Sequence, residues 1–551
     1  MTMHSAAAGC AVGIDFGTAS CRAVIVETAT GRQLATAVAD YPHGVIDREL
    51  PGGGPLGVDW ALQHPSDYLT SLTAAVTEAR RDAGTAADTI AGIGIDFTAS
   101  TVLPIDSAGQ ALCLRPGFAD RPHAWVKLWK HHAAQPQADR INEIATARGE
   151  RFLDDYGGRT SSEWLVAKAL QILDEDPEIF ESAVGIVEAA DWTTGQLTGV
   201  LIRNACGAGY KGLWSRAHGF PPAEFFEALD PRMRHFARDK LPGEVVPPGQ
   251  CVGGLTEAWA SRLGLAAGTP VAAPIIDAHA GVLGATVVTP GRMVIVLGTS
   301  TCQMLLADRH APVEGVAGIV QDGIVEGLYG YEAGQAAVGD IFGWFAGLVG
   351  SPATDSASTF AHLEADAAAA GPGGNGLVAL DWWNGNRSVL ANADLSGLIV
   401  GLSLQTTAGE LYRSLIEATG FGTRRILDAF EAEQIPVTEL VATGGLAERS
   451  PLLLRIYADI TQRPIRLATS PNASALGAAI LGALAAGPDR GGHGSLETAV
   501  GRMAGLATET IEPDGTAAGQ YDALYREYLE LHDHFGRGES AVMSRLRRLR
   551  R

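Results

Sequence analysis

The sequence predicts an α/β protein built from two related halves. Strand-like apolar runs alternate with helix-like segments along the chain, which is typical of α/β folds. A strand followed by a turn of Gly, Thr and Ser occurs at 11–20 and again at 291–302, and a third strand ends in two glycines at 439–446. This recurrence predicts two related lobes that face one cleft, and clefts between domains are preferred positions for small-molecule sites.

The first of these turns is the tip of a predicted β-hairpin. Residues 11–27 read AVGIDFGTASCRAVIVE, two apolar runs around a short polar turn that contains Gly17. Glycine lets a phosphate approach the backbone, the hydroxyls of Thr18 and Ser20 can donate to phosphate oxygens, and the Asp15 carboxylate can hold Mg²⁺. An ordinary turn satisfied by its own polar side chains is the alternative interpretation.

Further elements follow from periodicity and from turn residues. A helix is predicted over 65–83, ending near Gly84, and apolar runs predict strands at 90–95, 185–189, 271–276 and 293–297. Glycine-rich stretches at 367–376 and 485–495 predict breaks between elements. Helical spacing near the C-terminus predicts one apolar helix face, formed by Tyr521, Leu524, Tyr525, Tyr528 and Leu531.

Length and charge limit the class of protein. The chain has 551 residues, enough for about two to four domains. Acidic residues outnumber basic ones by 62 to 41, for a formal net charge of −21, which argues against nucleic-acid partners. The basic tail, formed by Arg545, Arg547, Arg548, Arg550 and Arg551, is expected to be solvated or frayed, as single short charge runs usually are.

Cysteine use and hydropathy indicate a cytoplasmic protein. The six cysteines are scattered without a C-x-x-C pair, which predicts neither disulfides nor a zinc site. No basic segment precedes an apolar one at the N-terminus, so no signal peptide is predicted. The longest apolar stretch, near 475–487, is too short to span a bilayer.

Several familiar phosphate-site signatures are missing from the sequence. It contains neither a G-x-x-x-x-G-K-[ST] loop nor the motifs of a protein kinase. Two G-x-G-x-x-G matches, starting at Gly52 and Gly207, do not clearly join a strand to a helix. With glycine this common about one such match is expected by chance, so neither predicts a nucleotide site.

A series of short segments resembles the FGGY family of sugar kinases. Each segment is weak alone, but their shared order over nearly the whole length makes the resemblance specific. The segments are DFGTASCRAV (15–24), GIGIDFTAST (92–101), LWKHH (128–132), SSEW (161–164), GYKGLW (209–214), IIDAHAG (275–281), LGTSTC (297–302), YEAGQAAVGD (331–340), DWWNGNR (381–387) and ATGGLA (442–447).

The resemblance implies two actin/hexokinase-like (ribonuclease H-like) lobes with the active site in the cleft between them. Sugar would bind deep in the cleft and ATP largely on the second lobe. The predicted domains are an N-terminal lobe over 10–286, with the sugar site and part of the phosphate site, and a C-terminal ATP-binding lobe over 287–490. A helical extension with the basic tail is predicted over 491–551.

Asp277 is the predicted catalytic base. Phosphoryl transfer needs a group that accepts the proton of the attacking hydroxyl. Asp277 follows the apolar run 271–276, so its carboxylate should emerge where a strand ends, and the family places its base in the matching motif. On residue type alone, an N-cap of the helix starting near Ala278 is the commoner role for an aspartate at this position.

The resemblance also implies a set of sugar contacts. Lys211 matches a lysine that contacts the sugar, although most lysines are solvated surface charges. Glu332 lies in an otherwise neutral apolar stretch, where a carboxylate must accept hydrogen bonds, and sugar hydroxyls are suitable donors. Ala99 matches a small residue whose backbone lies against the sugar, with plain packing as the alternative. Trp129 is either an apolar wall for the sugar carbons or a core residue, and the role of Lys130 stays open.

The predicted ATP and metal residues come from the recurring turns. Asp15 is expected to orient Mg²⁺ through water and Thr18 to donate to phosphate. Asp96 is read equally as a second metal-side carboxylate or as a turn residue. Asn384 and Arg387 are read as structural residues in preference to a brace at the cleft mouth. The predicted phosphate and nucleotide residues are Asp15, Gly17, Thr18, Gly298, Thr299, Ser300, Gly444 and Gly445.

The predicted activity is ATP- and Mg²⁺-dependent phosphorylation of the terminal primary hydroxyl of a ketopentose, L-ribulose giving L-ribulose 5-phosphate. D-ribulose, D-xylulose and a pentitol such as ribitol are the alternatives within this class, because one or two pocket side chains can redirect such choices. A non-catalytic ATP switch of actin-like fold is a remote alternative, since such proteins lack Lys211, Asp277 and Glu332. No nucleic-acid or membrane partner is expected. Whether the protein is a homodimer stays open.

Overall fold

A computed structural model describes residues 9–350, 355–374, 376–538 and 540–549 of the chain. Its internal contacts divide it into two units, each formed by more than one segment. The first unit contains the chain up to Val288 together with 319–330 and 472–505, and the second contains 289–318, 331–471 and the chain from Leu506 onward. Residues 472–505, which the sequence assigned to the second lobe and the extension, therefore pack within the first unit.

The first unit contains the elements up to Gly284 and two later helices, α16 and α17. Its strands are β1 (Cys10–Phe16), β2 (Ser20–Glu27), β3 (Gln33–Asp40), β4 (Leu62–Gln63), β5 (Ile90–Phe97), β6 (Val102–Ile105), β7 (Val126–Lys127), β8 (Gly185–Glu188), β9 (Arg203–Asn204), β10 (Val245–Val246), β11 (Cys251–Gly254), β12 (Pro270–Ala272) and β13 (Ile275–Ile276). Its helices are α1 (Pro65–Ala83), α2 (Gln135–Arg148), α3 (Leu165–Glu175), α4 (Pro177–Ser182), α5 (Ala189–Thr198), α6 (Ala205–Gly212), α7 (Ala223–Leu229), α8 (Phe236–Lys240), α9 (Glu257–Leu263) and α10 (Asp277–Gly284), with α16 (Ala473–Ala486) and α17 (Leu496–Met503) further along the chain.

A hairpin next to a parallel strand forms the centre of the first unit. The main sheet has the order β11-β12-β5-β1-β2-β3, with β13 also paired to β5. Strands β1 and β2 form the antiparallel hairpin, β5 runs parallel to β1, and β13 runs parallel to β5. Parallel strands end at the same edge, so the ends of β1, β5 and β13 meet there. A smaller sheet has the order β4-β7-β6-β8.

Glycines let helix α16 lie directly on this sheet. A Cβ atom on Gly13 of β1 would lie 1.9 Å from the carbonyl oxygen of Ala475, and one on Gly94 of β5 would lie 1.8 Å from that of Ala478. Both distances are far inside van der Waals contact, so only glycine fits at these two strand positions. The apolar stretch near 475–487 is thus a buried core helix.

The second unit has its own sheet and helices. Its strands are β14 (Arg292–Leu297), β15 (Thr301–Ala307), β18 (Val378–Leu380), β19 (Leu398–Val400), β20 (Glu439–Thr443), β21 (Ile465–Ala468) and β22 (Leu506–Ile511), while β16 (Gly318–Gln321) and β17 (Tyr329–Gln335) span the division between the units. Its helices are α11 (Gly339–Val349), α12 (Ser356–Ala370), α13 (Ala408–Ala432), α14 (Gly445–Arg449), α15 (Pro451–Thr461), α18 (Gly515–Gly536) and α19 (Val542–Arg548).

The same hairpin motif forms the centre of the second unit. Its sheet runs β17-β15-β14-β20-β21-β22, with β14 and β15 as the antiparallel hairpin and β20 parallel to β14. Strand β14 therefore corresponds to β1, and β20 corresponds to β5. The predicted recurrence of a strand followed by a Gly, Thr and Ser turn is confirmed, and the structure adds that each turn belongs to a hairpin beside a parallel strand.

Most predicted elements are confirmed, with shifts at their ends. Helix α1 covers 65–83 as predicted and ends at Gly84, which has the left-handed φ of 63°. The predicted strand 271–276 is two short strands, β12 and β13, each of which pairs with β5. Asp96 lies inside β5 and not in the turn that follows it. On α18 the aromatic members of the predicted face, Tyr521, Tyr525 and Tyr528, are buried.

Part of the C-terminal region and part of one break lie outside the described residues. Asn375 of the predicted break at 367–376 and Arg550 and Arg551 of the basic tail are among them. Within the described tail, Arg547 donates hydrogen bonds to the backbone carbonyls of Ala393 and Leu395, so it packs on its own unit and is not simply solvated. Of the helices that can be described, none has both the length and the hydropathy required to cross a lipid bilayer.

Candidate active site

Three aspartate side chains lie near one another at the edge of the first sheet where its parallel strands have their C-terminal ends. Asp15 near the end of β1 is the register partner of Asp96 in β5. Ile276 of β13 pairs with Phe97 of the same strand, so Asp277 follows directly beyond that edge. The predicted metal-side pair and the predicted base are therefore neighbours. Their proximity follows from parallel pairing of segments far apart in sequence.

The environment of these carboxyls disfavours three negative charges. Asp96 is fully buried, and neither of its oxygens has a hydrogen-bond partner at normal distance. Burial raises the pKa of Asp96 well above its usual range, and the Asp15 and Asp277 carboxylates raise it further. Burial also raises the pKa of Asp15, opposed by its contacts with Asp96 and with Arg22, whose Nη1 lies 3.2 Å from Asp15 Oδ2. A buried, unpartnered oxygen pair beside a second carboxylate suits a hard divalent cation.

Asp277 is the first residue of α10, with Ile276 as the N-cap. Its Oδ1 accepts a hydrogen bond of 2.7 Å from the backbone N–H of Ala278, and its side chain is only half-buried. Asp277 thus satisfies one backbone N–H at the start of α10, which is part of the helix-capping role expected for an aspartate at this position. A backbone donor at a helix N-terminus also holds the carboxylate in one orientation.

The predicted phosphate turn is tied to the predicted sugar wall. Trp129 donates from its indole Nε1 to Thr18 Oγ1 at 3.0 Å. The backbone carbonyl of Thr18 accepts from Gln63 Nε2 at 2.7 Å, and Gln63 Oε1 accepts from the Tyr68 hydroxyl. Trp129 is half-buried, so it is not a fully buried core residue.

Lys211 lies in the last turn of α6 and is 8 % exposed. Its Nζ is 5.7 Å from the ring centroid of Trp164 and 5.9 Å from that of Tyr210. Aromatic faces stabilise a partly desolvated ammonium. The lysine is therefore a buried cation in the first unit and not the solvated surface charge that its residue type alone favoured.

A buried carboxyl that the sequence analysis missed lies in the same region. Burial, together with the Asp191 carboxylate, raises the pKa of Glu188 to about 8, while Lys168, Arg203 and Lys211 oppose this shift. Glu188 Oε1 is buried without a hydrogen-bond partner. The only sequence signal was an acidic residue at the end of the strand 185–189. Trp164 was visible in the SSEW segment but had been given no role.

In the second unit, three of the predicted nucleotide residues, Gly298, Thr299 and Gly445, line a cavity of about 940 Å³. Its wall combines polar groups, including Gly298, Thr299 and Gly445, with an aromatic and aliphatic surface. Pockets for small ligands commonly have volumes of about 300–1,000 Å³, so a nucleotide fits this space. Side chains that the sequence analysis did not select complete the lining, among them Phe342, Phe360, Glu364, Tyr412, Ile416, Arg449 and Leu453.

Strand pairing brings the two phosphate-type turns of this unit together. Val296 of β14 pairs with Thr443 of β20, so Gly298 and Gly444 follow parallel strands at one edge. Gly444 has a φ of 95°, and a Cβ there would lie 2.6 Å from the carbonyl oxygen of Leu297. This glycine is required by the backbone itself, in addition to any close approach of a nucleotide. Ser300 and Gly444 adjoin the cavity-lining residues in sequence.

The remaining predicted residues, Glu332, Ala99, Asn384 and Arg387, lie in three different segments of the chain. Glu332 is 8 % exposed and lies in β17. Ala99 is half-buried and directly precedes Ser100, a non-glycine residue with a φ of 54°. Asn384 is exposed and Arg387 is half-buried, in a segment of bends and turns after β18.

One group of metal-type side chains occurs elsewhere among the residues that can be described. His43, His64 and Asp67 offer ligand atoms within 4.8 Å of one another. The imidazole rings stack at 4.4 Å, Asp67 Oδ1 lies 2.8 Å from His43 Nδ1, and His64 Nδ1 caps α1 by accepting from the N–H of Ser66. These contacts use the same atoms that a cation would need, so the group is structural.

Comparisons with known proteins agree with this arrangement. The N-terminal domain of the FGGY family of carbohydrate kinases matches residues 10–284, and the C-terminal domain of the same family matches residues 293–486. Two curated relatives are both named ribulokinase. The one from Halalkalibacterium halodurans is 49% identical over 98% of this chain and 97% of its own length, and the one from Shouchella clausii is 51% identical over 98% and 97%.

A solved structure extends the comparison to the fold. The xylulose kinase from Rhodospirillum rubrum superposes with a TM-score of 0.80 at 25% identity, covering 95% of this chain and 98% of that one. The predicted fold class, two lobes of the actin/hexokinase type, is confirmed. With both family domains matched over most of its length, this chain belongs to the FGGY family of carbohydrate kinases.

Proposed function

We propose that this enzyme transfers the γ-phosphoryl group of ATP to the terminal primary hydroxyl of L-ribulose, giving L-ribulose 5-phosphate and ADP. Relatives named ribulokinase, which match nearly the full length of this chain at 49% and 51% sequence identity, support this substrate over other sugars. ATP as donor also favours the cytoplasm, where the sequence analysis placed the protein.

The observation that carries the proposal is the position of Asp277. It stands at the carboxyl edge of the first sheet, half-exposed, with Oδ1 held by the N–H of Ala278. One carboxylate oxygen is thus fixed by the helix, which orients the group as a proton acceptor. Asp277 takes the proton of the sugar's primary hydroxyl while that oxygen attacks the γ-phosphorus. The new O–P bond forms, the bond from the γ-phosphorus to the bridging β-γ oxygen breaks, and ADP leaves with that electron pair.

The sugar is held by residues of different chemistry. Lys211 donates to sugar hydroxyls from a desolvated position, where such bonds are strong. Glu332, equally buried, accepts from hydroxyls, and Trp129 offers an apolar face to the sugar carbons. The Ala99 backbone lies against the sugar. Such a set discriminates through hydrogen bonds that a wrong stereoisomer would leave unmade.

ATP occupies the cavity of the second unit. Its base would lie against the aromatic surface that includes Phe360 and Tyr412, and its phosphates would meet the backbone N–H groups and hydroxyls of Thr299 and Ser300.

Asp15 and Asp96 fit a Mg²⁺ ion, because both oxygens of Asp96 are buried without a hydrogen-bond partner and the Asp15 carboxylate lies beside them. When bound, Mg²⁺ would neutralise phosphate charge. A bound cation would also oppose the burial and the carboxylate repulsion that together raise the pKa of Asp96.

A substrate panel tests the proposal. ADP release is measured with L-ribulose, D-ribulose, D-xylulose, ribitol and glycerol at saturating MgATP, and ³¹P spectra identify the phosphomonoester. L-ribulose is expected to give a kcat/KM at least about tenfold above every other compound.

Other outcomes of the panel would change the assignment. A higher value for D-ribulose, D-xylulose or ribitol would move the substrate within the class. If no compound released ADP while a fluorescent ATP analogue still bound, the chain would be a non-catalytic ATP switch.

A further inference from the structure

Lys168 is a buried cation that the proposed chemistry does not use. It lies in α3 with no exposed surface, although burying an ammonium is costly unless it is well bonded. Its Nζ donates to two backbone carbonyls, that of Ser100 at 2.7 Å and that of Leu128 at 2.8 Å. These carbonyls belong to chain segments far apart in sequence, so the side chain is a bridge.

The first bridged segment carries Ala99. It follows β5 and contains Ser100 in the left-handed region, a conformation that a serine adopts only when its surroundings hold it there. The hydroxyls of Thr98 and Thr101 are hydrogen-bonded at 2.9 Å across the segment. The bond from Lys168 fixes the carbonyl of the residue next to Ala99.

The second bridged segment carries Trp129. The N–H of His131 donates to the carbonyl of Leu128 at 2.9 Å, which closes a turn with Trp129 and Lys130 at its centre. Lys168 therefore holds the carbonyl that closes this turn. Gln171, three residues further along α3, is hydrogen-bonded to His131 Nε2 at 2.8 Å. One helix thus holds both ends of the turn.

We propose that Lys168 is a positioning residue that fixes the distance between the Ala99 backbone and the Trp129 ring, and thereby sets the affinity for the sugar. The inference rests on the proposed function, in which these two residues are walls of the sugar site. The ammonium suits this task because it donates in several directions from one atom, and charge-assisted bonds to carbonyls are strong in a dry interior. Burial lowers the pKa of Lys168 to about 7, while the nearby Glu188 and Glu163 carboxyls favour the charged form.

Replacement of Lys168 by Met tests this role, since Met keeps the length of the stem and loses the donors. The KM for L-ribulose and the sugar Kd from calorimetry are expected to rise at least about tenfold. The KM for MgATP should stay within about twofold and kcat within about threefold, because Lys168 contacts no reacting group.

Lys127→Met is the matched control. Lys127 is equally buried, but its Nζ has no hydrogen-bond acceptor. This variant should leave both sugar constants unchanged. If Lys168→Met does not fold, Gln171→Met decides the question, because it frees only the His131 end of the turn. It should raise the sugar KM while keeping kcat.

The outcomes separate this inference from the proposed function. Normal sugar affinity in Lys168→Met, or in Gln171→Met where the first variant is unfolded, overturns the positioning role alone. Equal losses of sugar and MgATP affinity also overturn it, because they indicate a general structural role. A wild-type protein that binds none of the sugars overturns the inference together with the proposed function.

Discussion

Lys127 offers a test of how much a buried, unpaired charge costs this fold. It lies in β7 without exposed surface, and its Nζ is 4.8 Å from the ring centroid of Trp60 with no hydrogen-bond acceptor. Burial, with help from the Lys168 ammonium, lowers the pKa of Lys127 from 10.5 to about 7. The folded protein therefore binds the proton less readily than the unfolded chain does.

The size of the effect follows from this difference in pKa. At about 1.4 kcal/mol for each factor of ten, a fall from 10.5 to about 7 corresponds to about 5 kcal/mol of lost stability at pH values below 7. The loss diminishes as the pH rises from 7 towards 10.5, because the unfolded chain then loses the proton too. Substitution by Met removes this cost and the cation–π contact, worth about 1–2 kcal/mol. A net gain of about 3 kcal/mol is expected at pH 7.

Calorimetric unfolding of the wild type and Lys127→Met measures this gain. The transition of the first unit should move up by several degrees at pH 7, and the difference between the two proteins should shrink when the pH is raised to about 10. A lower Tm for the variant at pH 7, or a difference independent of pH, would refute the reasoning. A lower Tm would mean that the ammonium has a partner worth more than its burial costs. A difference independent of pH would mean that the change in stability comes from packing and not from a lowered pKa of Lys127.

Three further changes test the site. Asp277→Asn should lower kcat about 10²–10⁴-fold with a nearly unchanged sugar KM and Tm, because Asn can still accept the hydrogen bond from the N–H of Ala278. Steady-state kinetics measures this change. A variant that turned over at the wild-type rate would show that Asp277 is not the base. Asp96→Asn should raise the Tm of the metal-free protein. It should also raise the Mg²⁺ concentration that gives the half-maximal rate at least about tenfold. If the dependence of the rate on Mg²⁺ did not change, Asp96 would not be a metal ligand. Gly444→Ala should destabilise the second unit by about 1–3 kcal/mol and raise the KM for MgATP, because the new Cβ would lie 2.6 Å from the carbonyl oxygen of Leu297. An unchanged free energy of unfolding in denaturant would show that the turn can relax around the added methyl group.

Local pattern was sufficient for most elements. Helix 65–83 was predictable because its apolar spacing, its proline at the start and Gly84 at the end are all local signals. The first hairpin was predictable for the same reason. The strand was wrongly predicted to end before Asp96. Pairing with β1 and β13 on its two sides extends β5 through Phe97, and the segment's own sequence does not reveal such pairing.

The candidate site was only partly accessible from sequence. The strand-and-turn pattern selected Asp15, Asp277 and Gly298 because each stands where an apolar run ends. Lys168 carries no such signal. Glu188 lies near the end of a predicted strand, but like Lys168 it resembles an ordinary surface charge until its burial is known.

The sequence alone therefore determined the architecture and the residue types at the turns, because alternating apolar segments and glycines act through local conformation. Only the tertiary structure decided which charges are desolvated and which lie together. Helix α16 (Ala473–Ala486) packs on β1 (Cys10–Phe16) and β5 (Ile90–Phe97) although it is distant from both in sequence. Lys168 joins two segments that no local pattern relates. Burial and long-range pairing depend on the whole packed unit, so the raised pKa of Asp96 and the bridge at Lys168 appear only once the chain is folded.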